Sequence, residues 1–160
     1  MLARELATEE NVDEKLANVK YFYTPNTEQL LGTVDSLSKL MLEIHPRIVI
    51  LDGAIGQFRE EYLGRGTLSE RQNQIARLMT HIKNISFYFR CVVLFTNQVQ
   101  SDPSVMFGDP IKPIGGNIVA HASTYRVYLK KSGKKRIARM IDSPEHEQKD
   151  AAYQLTVKGI

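Results

Sequence analysis

The sequence predicts an α/β fold, with a mostly parallel sheet flanked by helices and an antiparallel C-terminal extension. Two short apolar runs, 47–52 and 91–96, have the length and character of strands covered on both faces. A long segment of helical periodicity separates them, and the order strand, helix, strand is typical of a crossover unit in a parallel sheet. Three later segments, at 125–130, 136–141 and 152–157, alternate in the manner of antiparallel strands.

The elements before the first apolar run are predicted from capping signals and spacing. Residues 2–17 indicate one or two short helices, and the aromatic segment 19–23 (VKYFY) indicates a strand. Asn26 is suited to cap the next helix with Gln29 reaching back, and Pro46 ends that helix. Its apolar positions recur at helical spacing and are Leu30, Leu31, Val34, Leu37, Leu40, Met41 and Ile44.

The segments between the predicted strands differ in character. Residues 53–66 contain glycines and are predicted to be irregular, whereas the pattern from Thr67 to Glu70 (T-L-S-E) predicts a capping box. The helix that follows has an apolar face of Ile75, Leu78, Met79, Ile82 and Ile85. Residues 98–116 form a long loop rich in Pro, Gly, Asp and Ser, and loops of that length inside a domain are usually functional or disordered. A short helix is predicted over 117–122.

Composition limits the classes of protein to which the chain can belong. Its 160 residues suit one domain, and 42% of them are hydrophobic and 24% charged, as in an ordinary globular protein. No apolar run approaches the roughly 20 residues that a membrane helix needs. The single cysteine excludes an internal disulfide and a CxxC zinc site, so we expect a reducing, cytoplasmic setting.

The charge is unevenly distributed along the chain. Residues 1–70 hold 7 basic and 12 acidic side chains, whereas residues 71–160 hold 14 basic and 6 acidic ones. Seven of the basic residues lie between Arg126 and Arg139, without an acid among them. Such clustering favours a polyanionic partner such as nucleic acid, and a solvated hairpin explains the charge equally well.

Asp52 is the first residue with a candidate chemical role. It follows the apolar run Ile48-Val49-Ile50-Leu51, and an acid in that position helps hold Mg²⁺ through water in nucleotide hydrolases. Many parallel strands end in Asp for structural reasons alone. The usual companion motif, G-x-x-x-x-G-K-[ST], is absent from the printed sequence.

Three further segments offer groups for binding an anion. Arg59 and Arg65 lie in 58–66, where glycines allow the backbone to approach a ligand closely. The segment 112–117 places two glycines before a helix that carries His121, and exposed N–H groups at such a helix start suit phosphate. Gln98 follows the second apolar run. Each segment has an ordinary structural explanation as well: solvated arginines, a packed histidine and a strand-end amide.

Taken together, the order and spacing of these segments are specific. The stretches E-Y-L-G-R-G-T-L-S-E-R-Q, T-N-Q-V, G-D-P-x-K-P-I-G-G-N-I-V-A-H-A-S-T and R-I-A-R-M-I-D-S-P closely resemble the RadA-type recombinases. These are the archaeal and eukaryotic RecA-like strand-exchange ATPases. The resemblance covers residues 2–160 and implies a function in DNA repair and homologous recombination.

The resemblance also implies roles for individual residues. It makes Asp52, Gln98 and His121 catalytic, with Asp52 linked to Mg²⁺ through water. It places Arg59 and Arg65 in a first DNA-binding loop, and Val105, Met106 and Phe107 in a second loop as wedges between bases. It makes the amides of Gly115, Gly116 and Asn117 phosphate contacts. Finally, it makes Asp142, Ser143 and Pro144 a cap over the nucleotide of the neighbouring protomer.

The implied cofactors are ATP and Mg²⁺, and the implied partners are single- and double-stranded DNA together with further protomers in a filament or ring, or a full-length recombinase. No membrane is expected, and the implied location is nucleoid-associated. By this resemblance the phosphate-binding loop and an N-terminal domain lie upstream of residue 1. The chain is then one domain, the C-terminal part of a RecA-like ATPase core, and is not expected to hydrolyse ATP alone.

Two alternatives belong to other classes. A non-catalytic accessory module would bind DNA or a recombinase without turnover. A metabolic α/β enzyme is disfavoured, because the sequence shows no nucleophile–base pair and no Gly-rich cofactor fingerprint.

Overall fold

The computed structural model describes residues 12–64, 66–101, 106, 111–133 and 135–156. The chain divides into two compact units, and each is described by itself. The α/β unit comprises residues 23–122, and the second unit comprises residues up to 22 together with residues from 123 onward. In chain order the described elements are α1 (Val12–Ala17), α2 (Thr27–Ile44), β1 (Ile48–Leu51), α3 (Ala54–Glu61), α4 (Leu68–Phe89), β2 (Val92–Phe95), β3 (Val99–Ser101), β4 (Ile111–Pro113), α5 (Gly116–Ala122), β5 (Arg126–Ser132), β6 (Lys135–Asp142) and β7 (Asp150–Tyr153).

The α/β class and the parallel strand pair are confirmed. β1 and β2 run parallel, in a register that pairs Ile48 with Val92 and Leu51 with Phe95. Helix α2 begins as predicted, because the Asn26 side chain accepts a hydrogen bond from the Gln29 N–H at 2.9 Å. It ends before Pro46, also as predicted.

The core of the α/β unit lies where α2, α3 and α4 pack beside one face of the strand pair. Phe58, Met41 and Leu78 are fully buried, and the predicted apolar face of α4 is buried throughout. The alternate strand residues Val49, Leu51, Val93 and Phe95 belong to the same cluster. The apolar periodicity of α2 and α4 therefore predicted most of the core correctly. The exception is Ile44 at the end of α2, which is 38% exposed.

The other face of the strand pair is exposed, so the prediction of strands covered on both faces is wrong. Ile48, Ile50, Val92 and Leu94 are 49–63% exposed. They pair across the two strands and form one apolar patch, because alternate residues of a strand point to the same side. Their apolar character is that of a sheet face that packs against another layer.

Residues 53–66 are more regular than predicted, since α3 occupies Ala54–Glu61. Gly53 at φ +71° turns the chain directly from β1 into this helix, and its buried side chains include Ile55 and Phe58 at helical spacing. The Glu61 carboxylate accepts hydrogen bonds from the N–H and hydroxyl of Thr27, which ties α3 to the start of α2.

The capping box predicted at Thr67 is also wrong. The Thr67 hydroxyl donates to the carbonyls of Leu63 and Gly64, at 2.8 and 3.3 Å, and makes no capping bond to α4. The hydroxyl that was predicted to cap α4 therefore forms hydrogen bonds with the preceding turn instead.

The segment 19–23 is not a strand, contrary to the prediction, and residues 19–25 have no regular secondary structure. A strand needs a neighbour for its backbone groups, and no described strand pairs with this segment.

The predicted loop 98–116 contains a short antiparallel ribbon, in which Val99 pairs with Pro113 and Ser101 with Ile111. The short helix predicted after it is confirmed as α5.

The antiparallel extension is confirmed as a three-stranded sheet in the order β5-β6-β7. Its first turn follows Ser132 at Gly133, which has φ +57°. The last strand, β7, lies a few residues earlier than the predicted 152–157. Two ion pairs connect neighbouring strands: Arg126 with Asp142 at 2.8 Å and Arg139 with Asp150 at 2.7 Å.

Candidate functional site

The carboxyl ends of β1 and β2 bring Asp52 and Thr96 together. The Thr96 hydroxyl donates to Asp52 Oδ1 at 2.5 Å and accepts from the Gly53 N–H at 2.9 Å. Asp52 itself is exposed at the end of its strand. Parallel sheets bind ligands at this edge, so an accessible carboxylate here is available to an ion or to a water that an ion holds.

The residues after β2 connect this edge to the segment before α5. The Asn97 side chain donates from Nδ2 to the Ile114 carbonyl at 2.7 Å, and the Ile114 N–H donates to the Gln98 carbonyl at 3.0 Å. Gln98 is exposed, whereas Asn97 Oδ1 is buried and has no hydrogen-bond partner among the described residues. The backbone of Ile114, next to Gly115, is therefore held by the two residues that follow Thr96.

A small cavity of about 60 Å³ joins residues from four elements and loops of the α/β unit. It is lined by Ile55, Arg59, Arg71, Ile75, Gln100, Ile114 and Gly115. The cavity brings predicted residues from two different segments, Arg59 and Gly115, to one place. Arginine side chains bind phosphate groups well, so a small cavity lined by two arginines and a glycine suits a phosphate-sized anion.

Arg71 is a member of this cavity that the sequence analysis missed. It lies on α4 one turn before the buried Ile75 and therefore on the same side of the helix. The available signal was an arginine at the same helical spacing as the apolar residues of α4. A side chain in that position packs its stem beside the core and extends its charged end to the edge of the core.

Gly115 has a packing role as well as a place in the cavity. Its φ is +86°, and a Cβ added to it would lie 2.4 Å from Val119 Cγ2 and 3.2 Å from Ile55 Cγ2. Only glycine fits there without a rearrangement. Gly116 has φ +59° with open space around its Cα, and both it and Asn117 are exposed.

The remaining predicted residues of the α/β unit are exposed or undescribed. His121 is exposed in the last turn of α5. Met106 is 87% exposed, as a base-wedging side chain would need to be. Arg65, Val105 and Phe107 lie outside the residues that the structure describes.

The predicted nucleotide cap belongs to the second unit. Asp142 ends β6 and is paired with Arg126, and the Ser143 hydroxyl accepts from the N–H groups of Glu145 and His146 at 3.2 and 2.9 Å. Pro144 is exposed. The hydroxyl thus fixes a tight turn, which presents the proline at the surface.

A larger cavity, of about 310 Å³, lies between α2 and α4, and none of the predicted site residues lines it. Asp35 in its wall pairs with Arg77 at 2.5 Å and with His81 Nδ1 at 2.7 Å. Its remaining lining residues are Val34, Ser38, Asn84, Ile85, Tyr88 and Phe89. No local pattern in the sequence indicates this cavity, because its lining residues come from two separate helices, α2 and α4.

The donor set at Asp52 fits Mg²⁺ held through water. Mg²⁺ keeps several of its waters and needs one or two carboxylates, not a full protein cage. The described part of the chain contains no group of three or more His, Cys, Asp or Glu residues placed to hold a metal. Among the same residues, no helix is both long and apolar enough to cross a membrane.

Comparison of the sequence with known proteins places this chain in a family. A family model described as Rad51 matches residues 3–160. The chain is 43% identical over 136 residues to a DNA repair and recombination protein RadA of Cenarchaeum symbiosum, covering 84% of the chain and 34% of that protein. It is 41% identical to the RadA of Methanocorpusculum labreanum, covering 92% and 47%, and 40% identical to that of Methanoculleus marisnigri, covering 98% and 49%.

The chain therefore spans between a third and a half of the length of these relatives. The family match extends over nearly all of its own residues and includes every segment of the candidate site. This chain belongs to the Rad51 family.

Proposed function

We propose that the chain is the C-terminal part of a RecA-like ATPase core that binds single-stranded DNA and acts in strand exchange during DNA repair and recombination. The observation that carries the proposal is the cavity lined by Arg59, Arg71 and Gly115. Support for the biological process comes from the relatives, which are DNA repair and recombination proteins.

The chemistry of that cavity matches a nucleic-acid backbone. The guanidinium group of an arginine can form two hydrogen bonds with one phosphate group. Contacts with phosphate give affinity for nucleic acid that does not depend on base sequence. The backbone amides of 115–117 and the exposed Met106 extend the proposed contact surface from phosphates to bases. Arg65, Val105 and Phe107 complete the proposed DNA site by resemblance.

The proposed nucleotide site uses the other predicted residues. Asp52 would hold a Mg²⁺-bound water, and Gln98 and His121 would respond to the terminal phosphate. Asp142, Ser143 and Pro144 would cover the nucleotide of a neighbouring protomer, so the proposal includes self-association in a filament or ring. ATP with Mg²⁺ would supply the free energy that switches the DNA-binding state. The proposed location is the nucleoid.

A fluorescence-anisotropy titration of the 160-residue chain with labelled single-stranded DNA tests the proposal. We expect weak binding, with Arg59→Ala and Arg71→Ala each reducing the slope of log affinity against log salt by about 0.7, the value of one released counterion. The matched control is Lys83→Ala, which removes one cation from α4 about 18 Å further along the helix. We expect it to leave the slope unchanged.

The competing explanation is that the basic hairpin between β5 and β6 supplies all of the affinity. Loss of binding in a Lys131→Ala/Lys135→Ala double variant, together with unchanged salt slopes for Arg59→Ala and Arg71→Ala, would contradict the proposed DNA site.

A second candidate function is a non-catalytic module that binds a recombinase. The exposed patch of Ile48, Ile50, Val92 and Leu94 favours it, since large apolar surfaces bind other polypeptides. Sedimentation of the chain with the purified Methanoculleus marisnigri relative distinguishes the two candidates. A stable complex that is lost on Ile50→Ser, without DNA binding by the chain alone, would favour the module.

A further inference from the structure

Thr96 contacts three successive residues at the end of β1. Its N–H donates to the Leu51 carbonyl at 3.0 Å, its hydroxyl donates to Asp52 Oδ1 at 2.5 Å, and the same hydroxyl accepts from the Gly53 N–H at 2.9 Å. Thr96, the residue directly after β2, thereby fixes the end of β1, the Asp52 carboxylate and the first turn that leads to α3.

The direction of these bonds follows from what each group can donate. A threonine hydroxyl has one hydrogen and two lone pairs, and an ionised carboxylate only accepts. The Gly53 N–H occupies a lone pair of the Thr96 oxygen, so the hydroxyl hydrogen is directed at Asp52. A hydrogen bond to an ionised acceptor is shorter and stronger than a neutral one, in keeping with the 2.5 Å separation.

The result is an asymmetric carboxylate. Asp52 Oδ1 is committed to Thr96, whereas no hydrogen bond from the described residues to Oδ2 is present. Because rotation of the carboxyl group would break the Thr96 bond, the free oxygen is held in one orientation at the ligand-binding edge of the sheet. A water on Mg²⁺ needs a fixed acceptor of this kind.

We propose that Thr96 is a positioning residue for Asp52: it holds one carboxylate oxygen so that the other faces a Mg²⁺-bound water. The inference deepens the proposed function and rests on it for the identity of the ion. Neither the sequence pattern nor the comparisons with relatives assign a role to Thr96.

The first test measures the contact itself, by NMR on the labelled 160-residue chain. Thr96→Val removes the hydroxyl at nearly constant volume, and Thr96→Ser keeps it. Thr80→Val is the matched control, because the Thr80 hydroxyl donates to the Ala76 carbonyl of its own helix. We expect the Gly53 amide to exchange about fivefold faster in Thr96→Val, the size of one lost hydrogen bond, and to be restored in Thr96→Ser. The Asp52 carboxyl carbon signal should shift in Thr96→Val alone.

The second test uses Mn²⁺ as the probe for the ion. We expect Mn²⁺ to broaden the Gly53 amide signal at similar concentrations in the wild-type chain and in Thr96→Ser, and to require several-fold more metal in Thr96→Val. An Asp52→Asn variant separates the two hypotheses. If it broadens like the wild type, the proposed metal role of Asp52 fails, whereas the Gly53 exchange rates still decide the role of Thr96.

The inference is overturned if Thr96→Val leaves both the Gly53 exchange and the Asp52 carbon signal unchanged. It is equally overturned if Thr96→Ser behaves like Thr96→Val, because the methyl group would then be the part that matters.

Discussion

The α/β unit and the three-stranded antiparallel sheet are stabilised in different ways. Every fully buried apolar side chain among the described residues belongs to the α/β unit, from Leu30 to Val119. The sheet β5-β6-β7 has no buried side chain in its described part, and Val127 and Leu129 on its surface are 53% and 62% exposed. Its strands are joined by backbone pairing and by two exposed ion pairs.

This difference indicates where stability resides in the chain. Apolar burial is the dominant favourable contribution to folding, whereas exposed ion pairs contribute about 0–1 kcal/mol each. The α/β unit, which contains the candidate DNA site and Asp52, has its own source of stability. The sheet that ends in the proposed nucleotide cap depends on weaker and more condition-sensitive contacts.

The largest expected effect breaks the core of the α/β unit. Phe58 is fully buried, so we expect Phe58→Ala to reduce the free energy of unfolding by about 3–5 kcal/mol. Urea denaturation measures the loss. Cys91 provides a second measurement, because it is the single cysteine, it is buried in this unit, and its burial raises the pKa of its thiol. Thiol labelling should therefore be slow in the folded wild type and faster in Phe58→Ala.

Leu129→Ala is the matched control for that experiment. Leu129 is a large apolar residue of the exposed sheet, and we expect its truncation to change the unfolding free energy by no more than about 0.5 kcal/mol. Equal losses for the two variants would show that the comparison between the two regions is wrong.

A second prediction compares two adjacent glycines within the α/β unit. Gly115→Ala combines a left-handed backbone with a Cβ placed 2.4 Å from Val119 Cγ2, and we expect a loss of about 3 kcal/mol in unfolding free energy. In Gly116→Ala the added Cβ lies in open space, and the left-handed backbone is the one source of strain. We therefore expect a loss of about 1 kcal/mol in unfolding free energy. Thermal unfolding monitored by circular dichroism measures both. Similar losses would mean that the contact with Val119 relaxes without cost.

A third prediction concerns the antiparallel sheet and pH. The Arg139 guanidinium donates to both carboxylate oxygens of Asp150, at 2.7 and 2.8 Å, and these bonds lower the pKa of Asp150 below its ordinary value of 3.8. A group with a lowered folded-state pKa stabilises the fold above its ordinary pKa, and that contribution is lost as the pH falls from about 3.8 through the lower folded value. Protection of the sheet should therefore decrease in that range.

Hydrogen exchange of the Met140 amide, corrected for the intrinsic effect of pH, follows this change. Met140 donates to the Lys149 carbonyl at 3.0 Å, next to Asp150. The Asp150→Asn variant should lack the pH-dependent step, and the Val92 amide of the α/β unit, which donates to the Arg47 carbonyl, is the internal control. A step of the same size at Val92 would assign the transition to other carboxylates.

Elements with local signals could be predicted from the amino-acid sequence alone. Helical spacing specified the buried faces of α2 and α4, Asn26 specified the start of α2, and Ser132 and Gly133 specified the turn between β5 and β6. These features depend on periodicity, capping and turn chemistry within a few residues. The motifs were equally local, and for that reason they led to the family without any knowledge of the fold.

Other features depend on contacts between residues that are distant along the chain, and these features are set by tertiary packing. It left one face of β1 and β2 exposed, because burial depends on which layers are present, whereas the apolar run only shows that the face can be buried. It also directed the Thr67 hydroxyl to carbonyl groups of the preceding turn. It also brought Arg71 beside Arg59 and Gly115, and Thr96 beside Asp52. Arg59 and Arg71 are 12 positions apart, and Asp52 and Thr96 are 44 positions apart, so no periodic pattern in the sequence connects them. The packing of α4 brings the first pair together, and the pairing of β1 with β2 brings the second pair together.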